Sequence, residues 1–296
     1  MGLLFGSVDE TLVALASDGY LLERRGGVAV YLALALGKPL LVEGPAGVGK
    51  TELASALARV TRHQLIRLQC YEGLDEAKAL YEWNYHKQLL FLQAHQGQGG
   101  EWAEIKGQLY SQEFLLPRPL LAALLAESPT ILLVDEVDKA DEEFEAFLLE
   151  ALSEFQVSIP ELGTVKAGQR PQVILTSNAT RELGDALRRR CVYLYLDYPE
   201  PRLETEIIRN KLPGIGARLT GQIAEFVCQV RRQQLKKPPS IAETLDWAQS
   251  LAALGVMDLD AAVVADTLPV LLKYQEDLEL AYRKVDLWVP NLPNCG

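Results

Sequence analysis

Cysteine, histidine and methionine are scarce in this chain, with four, three and two among 296 residues. Cys70, Cys191, Cys228 and Cys295 stand far apart, with no C-x-x-C pair and no histidine at metal-ligand spacing, so neither a zinc site nor a disulfide framework is indicated and ordinary thiols are expected. Long apolar runs are also lacking. No stretch approaches the roughly 18 to 20 uncharged residues of a membrane span, because charge or glycine interrupts each candidate. The opening residues, MGLLFGSVDETL, have no basic start, no sustained apolar core and no small-residue cleavage site, so the expectation is a cytoplasmic protein without a secretory signal. Positive charge is in deficit, 29 basic against 40 acidic residues, and the net charge of -11 would repel a phosphate backbone and argues against a nucleic-acid partner. Two basic clusters, RRR at 188–190 and RRQQLKK at 231–237, are short and lie in helix-like contexts, where solvated faces are expected.

What the chain does have is apolar content, 49% of it, enough for one large core or two ordinary ones, and two domains are expected. Short apolar runs bounded by turn or charged residues recur at 39–44 (PLLVEG), 64–69 (QLIRLQ), 130–136 (TILLVDE), 172–178 (QVILTSN) and 191–197 (CVYLYLD), and read as strands. Between several of them apolar residues fall at helical spacing, as at Leu53, Ala54, Leu57, Ala58 and Val60. Strands joined by crossover helices predict an α/β domain over 1–199 with a mostly parallel sheet. Pro and Gly frame IPELGTVKAG (159–168), which predicts a small hairpin at about 156–168 between two core strands. After YLDYPEPR (195–202) strand signals stop, and amphipathic segments predict a helical domain over 200–296, with Pro199 and Pro201 at the hinge. The Gly- and Gln-rich stretch HQGQGGEW (95–102) reads as a loop tip.

One motif carries specific chemistry. Gly44, Pro45, Ala46, Gly47, Val48, Gly49, Lys50 and Thr51 fill the phosphate-loop pattern between an expected strand and an expected helix. Its glycines let successive N–H groups converge on an anion, and the helix start adds positive potential. Lys50 would neutralise β and γ phosphates of ATP, and the Thr51 hydroxyl would ligate Mg²⁺. Such a loop needs a second half to hold the metal and activate water, and ILLVDEVDKAD supplies it. There Asp135 would support the metal through its water shell, and Glu136 would orient water as the base.

Asn178 ends the next strand, where an amide can bridge between attacking water and phosphate; a turn or cap residue is the plainer alternative. In GDALRRRC the arginines would complement a helix dipole, or would include an arginine finger acting on a neighbouring subunit, with Arg190 the first candidate and Arg189 the next. A finger acting in trans requires an oligomer.

In this order, and followed by a helical domain, these parts resemble the AAA+ ATPases, more narrowly the MoxR branch. The stretch RLQCYEGLDEAKALYEWNYHKQLLFLQ (67–93) is similar to CoxD-like ATPases associated with maturation of a molybdenum-containing carbon monoxide dehydrogenase. The resemblance covers nearly the whole chain. It implies an α/β AAA+ core with a mostly parallel five-stranded sheet, an αβα sandwich, followed by a helical lid. It also implies Mg²⁺-dependent ATP hydrolysis in a ring, hexameric or another homo-oligomer, acting on a metalloenzyme client through a partner with a von Willebrand A-type domain. Gly44 to Thr51 then match Walker A, Asp135 and Glu136 Walker B, Asn178 sensor 1 and Arg190 the finger. Gln69 falls where the family places a polar residue that restrains the catalytic glutamate. One departure concerns the third lid helix, where many relatives place a phosphate-contacting arginine. Here the region reads PPSIAETLDWA, and either Lys236 or Lys237 substitutes or the contact is absent.

The segment 70–129 exceeds the roughly 2 to 6 residues of an ordinary connection and must hold helices and an insert. Its aromatics Trp83, Tyr85, Phe91 and Trp102 would line a contact surface or, as helical spacing favours, pack the insert. A small-molecule phosphotransferase and a nucleotide-gated binding module with little hydrolysis are the rival readings of the same loop.

Overall fold

A computed structural model describes residues 4–94, 102–160 and 162–289. Among the described residues the strands are β1 (Leu40–Glu43), β2 (Gln64–Gln69), β3 (Tyr81–Trp83), β4 (Leu115–Pro117), β5 (Thr130–Asp135), β6 (Gln156–Ile159), β7 (Gly163–Lys166), β8 (Gln172–Ser177) and β9 (Val192–Tyr195). Five of them form a parallel sheet in the order β2-β5-β8-β1-β9. The order follows from composition. β1, β5 and β8 are buried along their whole length and take the three central places, while β2 and β9, with polar or exposed residues interspersed, form the edges. The registers Gln69↔Asp135 and Glu43↔Ser177 bring the carboxyl ends of neighbouring strands level, which is where chemistry collects in such sheets.

The chain packs into two compact units. The first contains the described residues up to Thr11 together with Arg25–Glu43 and Thr51–Tyr195; the second contains Leu12–Arg24, Gly44–Lys50 and the chain from Leu196 onward. In the first, Leu41, Leu132, Val134 and Leu175 of the sheet pack with Leu121 and Phe144 from helices Pro119–Leu125 and Glu142–Glu154. The hairpin expected near 156–168 is present as antiparallel β6 and β7, Val157 facing Val165.

The insert holds helices Glu76–Leu80, Tyr85–Ala94 and Trp102–Leu109 and a second ribbon, β3 with β4, that the sequence did not reveal. Trp83 is buried edge-to-face against Tyr81 and Tyr110, at 5.8 and 5.2 Å, and Phe91 meets Phe114 at 5.4 Å. These two aromatics pack the insert, whereas Tyr85 is exposed. The side chain of Trp102, the loop tip at 95–101 and Cys295 lie outside the described residues.

In the second unit helices Pro201–Lys211, Ala217–Arg231, Ile241–Ala253, Ala261–Leu271 and Gln275–Trp288 surround a core centred on Phe226 and Trp247, 5.2 Å apart. Trp247 is fully buried and its Nε1–H donates to Thr267 Oγ1 at 2.8 Å, which pays the cost of burying an indole donor. Pro201 occupies the first turn of its helix, where a missing N–H costs nothing. Among the described residues no helix is long and apolar enough to cross a membrane.

Candidate functional site

The phosphate-loop residues follow β1 and run into helix Lys50–Thr61. Gly44 has φ 152°, and a Cβ there would lie 1.9 Å from the Leu196 carbonyl oxygen, so no other residue fits. Gly47 and Gly49 sit at φ 77° and 94°, in the left-handed region that glycine enters without penalty. Val48 is buried and anchors the loop. Tyr20 donates its hydroxyl to the Gly49 carbonyl at 3.3 Å, and the Lys50 ammonium donates to the carbonyls of Gly44 and Pro45 at 2.8 and 2.7 Å. These contacts bend the loop around a buried ammonium at a helix N-terminus, a combination that favours anions.

In the first unit Asp135 ends β5 and is only 2% exposed. It accepts from Thr51 Oγ1 at 3.0 and 3.2 Å, from Arg67 Nη2 at 2.5 Å and from the Thr176 hydroxyl. Arg67 and Thr176 belong to the flanking strands β2 and β8, so the sheet itself aims the carboxylate at Thr51. A hydroxyl and a carboxylate side by side suit Mg²⁺, which takes few protein ligands and completes its shell with water and phosphate oxygens.

Glu136 follows in a left-handed conformation, φ 57° and ψ 49°, at a cost of about 1 to 2 kcal/mol for a residue with a Cβ. Its N–H donates to Thr176 Oγ1 at 2.9 Å, which holds the turn. Its carboxylate is gripped from three sides: Gln69 Nε2 at 2.9 Å, Asn178 Nδ2 at 3.2 Å and the Lys139 ammonium at 2.6 Å. The hydrogen bond and charge of Glu136 raise the pKa of Lys139. Asp135, Glu136, Asn178 and Gln69 therefore stand together.

Asp138, which no sequence motif singles out, positions Asn178. Its carboxylate accepts from the N–H groups of Asn178 and Thr180, at 3.1 and 3.0 Å, and from the Thr180 hydroxyl at 2.6 Å. Burial pushes its pKa up, but those donors outweigh it and the net shift is downward. Cys70, beside this cluster, has its thiol pushed up to about 12 by burial and by the charges of Asp135, Asp138 and Glu136. It is inert in the sense expected of an ordinary thiol.

The three arginines of 188–190 have different fates. Arg188 is half-buried: it forms a forked pair with buried Glu43, the closest contact 2.7 Å, and lies 5.4 Å over the Tyr193 ring. Arg190 donates to the Leu149 carbonyl at 2.9 Å and contacts Ser153 Oγ. Arg189 is 83% exposed, with a 3.8 Å approach to Asp185. In the 231–237 cluster Arg232, Lys236 and Lys237 are exposed, as a solvated face requires, and Arg231 alone departs from it. Arg231 is buried, because Glu204 on helix Pro201–Lys211 is buried opposite it and a buried carboxylate demands a partner.

A parallel sheet in this order, with a phosphate loop after β1 and an acidic pair after β5, defines a P-loop nucleotide-binding protein. Residues 39–191 match the AAA domain, dynein-related subfamily, and the chain belongs to that family. Among solved structures, it is similar to two variants of RuvB from Thermotoga maritima. One is 16% identical with a TM-score of 0.51 and covers 95% of this chain and 80% of its own. The other is 18% identical with a TM-score of 0.51 and covers 97% of this chain and 81% of its own. At these identities the likeness is one of fold.

Proposed function

We propose that this protein is a Mg²⁺-dependent AAA+ ATPase of the MoxR branch, nearest the CoxD-like group, that works as a homo-oligomeric ring to remodel a protein client. The observation that carries the hydrolytic part is the Glu136 carboxylate held between Gln69 and Asn178 beside the Asp135–Thr51 pair. Gly44, Ala46, Gly47, Val48 and Gly49 present main-chain N–H groups to the triphosphate, Pro45, which has no N–H, shapes the turn between them, and Lys50 leaves its carbonyl partners to neutralise the β and γ phosphates. Bound through Thr51 and Asp135, Mg²⁺ would supply further charge neutralisation there. Glu136 takes a proton from water as its oxygen attacks the γ phosphorus and the bond to ADP breaks. Asn178 orients that water. Gln69 and Lys139 restrain the carboxylate until substrate is in place.

The ring rests on the finger. Both candidates are exposed, but Arg189 has only a 3.8 Å approach to Asp185, while Arg190 ties its helix to Glu142–Glu154. We assign Arg189 the trans contact and keep Arg190 as its support. A von Willebrand A-type partner and a metalloenzyme client awaiting cofactor, in the cytoplasm, follow from the resemblance, with no role for nucleic acid.

Titration with Mg²⁺-ATP should show saturable binding. Lys50→Ala should weaken it by more than tenfold, since a charged hydrogen bond contributes about 1.5 to 3 kcal/mol. Equal binding by both proteins would remove the loop as the triphosphate site.

A further inference from the structure

The geometry points to the main chain of Gly47 as the place where the lid senses the phosphate loop, through the cap of helix Ile241–Ala253, with Arg231 as the positioning residue that holds this cap. The inference rests on the ATP reading above. It begins with an accounting of donors at the helix start. The first N–H groups of any helix have no partner within the helix. Here Ser240 and Glu243 form a capping box: Glu243 N–H turns to Ser240 Oγ at 3.4 Å, and Ser240 N–H donates to Glu243 Oε2 at 2.8 Å. The remaining donor at the first helical position, Ile241 N–H, points at the Gly47 carbonyl, 3.3 Å away. A Cβ on Gly47 would fall 2.2 Å from Ser240 Cβ and 2.7 Å from its Oγ. The cap and the loop are in van der Waals contact with no room for adjustment between them.

Arg231 fixes the cap from behind. Its Nε–H donates to the Pro239 carbonyl at 2.8 Å, immediately before Ser240. Its two Nη groups clamp the Glu204 carboxylate at 2.6 and 2.8 Å, and one also reaches Thr244 Oγ1 at 3.2 Å. The guanidinium lies 4.6 Å over the Tyr198 ring. One side chain thereby joins three lid helices to the turn that touches Gly47. The two lysines before the cap are held within the lid. Lys236 lies 4.9 Å over the Tyr274 ring, Lys237 pairs with Glu243 at 3.6 Å, and their N–H groups both go to the Asp277 carboxylate. A change of loop shape on binding triphosphate therefore reaches the lid as a displacement of Ser240 and Ile241, without a charged lid side chain on the phosphate.

Calorimetric titration with Mg²⁺-ATP, with thermal unfolding of the same samples, tests this on four variants of the full chain. Ser240→Val presses a methyl group into Gly47 and should weaken binding at least fivefold. Glu204→Leu with Arg231→Met replaces the buried pair by apolar groups, keeps the lid folded and frees the Pro239 turn, and should weaken binding similarly. Asp260→Ala removes the comparable cap of helix Ala261–Leu271, where Asp260 accepts from Val263 N–H. It should lower the melting temperature while binding stays within twofold of wild type. Lys236→Ala, which leaves the Ser240–Glu243 capping box and its Lys237 partner intact, should also bind within twofold. Binding equal to wild type by Ser240→Val or by the Glu204/Arg231 pair overturns the proposal, as does a tenfold loss in the lysine variant. A wild-type protein that binds no Mg²⁺-ATP refutes the ATP reading itself, and the proposal with it.

Discussion

Replacing Arg188 with Met leaves the Glu43 carboxylate without its forked partner in a place where its side chain is 6% exposed. Removing one member of a buried pair costs about 3 to 5 kcal/mol, because the survivor stays charged and desolvated. The Arg188 side chain is 31% exposed, so water can relax into part of the gap, and the lower end, about 3 kcal/mol, applies. At roughly 2 to 4 °C per kcal/mol for a unit of this size, the first transition should fall by about 6 to 12 °C. Glu43→Gln alone should cost less, about 1 to 2 kcal/mol, because Arg188 keeps the Tyr193 face and access to solvent. Combining the two substitutions should recover at least half of the Arg188→Met loss, since neither charge is then stranded. Thermal and urea unfolding of the three variants decide the matter. A loss below 1 kcal/mol for Arg188→Met, or a double variant no more stable than that single one, would refute the view that Arg188 serves the sheet end rather than a neighbouring subunit.

Two further outcomes are expected. Asp138 has a folded-state pKa below the ordinary 3.8, so its stabilisation is complete above that pH and disappears as the pH falls through the lower folded value. Asp138→Asn should remove this acid-side dependence in denaturant titrations between pH 2 and 7, and lower neutral stability by about 1 to 3 kcal/mol. If Arg189 acts in trans, Arg189→Ala subunits mixed with Lys50→Ala subunits should regain hydrolysis that neither has alone. Arg190→Ala should mainly lower the melting temperature, and complementation by Arg190→Ala instead of Arg189→Ala would reverse the assignment.

The strands and the loop were legible because they are local. β1, β5 and β8 announce themselves as unbroken apolar runs, and the phosphate loop is eight consecutive residues whose glycines each have a backbone reason. Asp135 and Glu136 follow one another at a strand end, and Asn178 closes the neighbouring strand, so their meeting depends only on getting the sheet order right. Partners far apart in sequence were not legible. Glu43 meets Arg188 across 145 positions and Arg231 meets Glu204 across 27, and both arginines sit in basic runs that resemble solvated faces. The β3–β4 ribbon was hidden because three-residue strands show no alternation. The Ser240 cap has a local signal: Ser240-Ile241-Ala242-Glu243 has the S-x-x-E form of a capping box, which marks the helix start and the turn that meets Gly47.

Steady-state release of phosphate from Mg²⁺-ATP, compared between wild type and Glu136→Gln, tests the hydrolytic role most directly. The wild type should turn over, and the glutamine variant should bind ATP with similar affinity yet lose turnover by about 10²- to 10⁴-fold, the contribution of a positioned general base. Turnover by Glu136→Gln at the wild-type rate would contradict it.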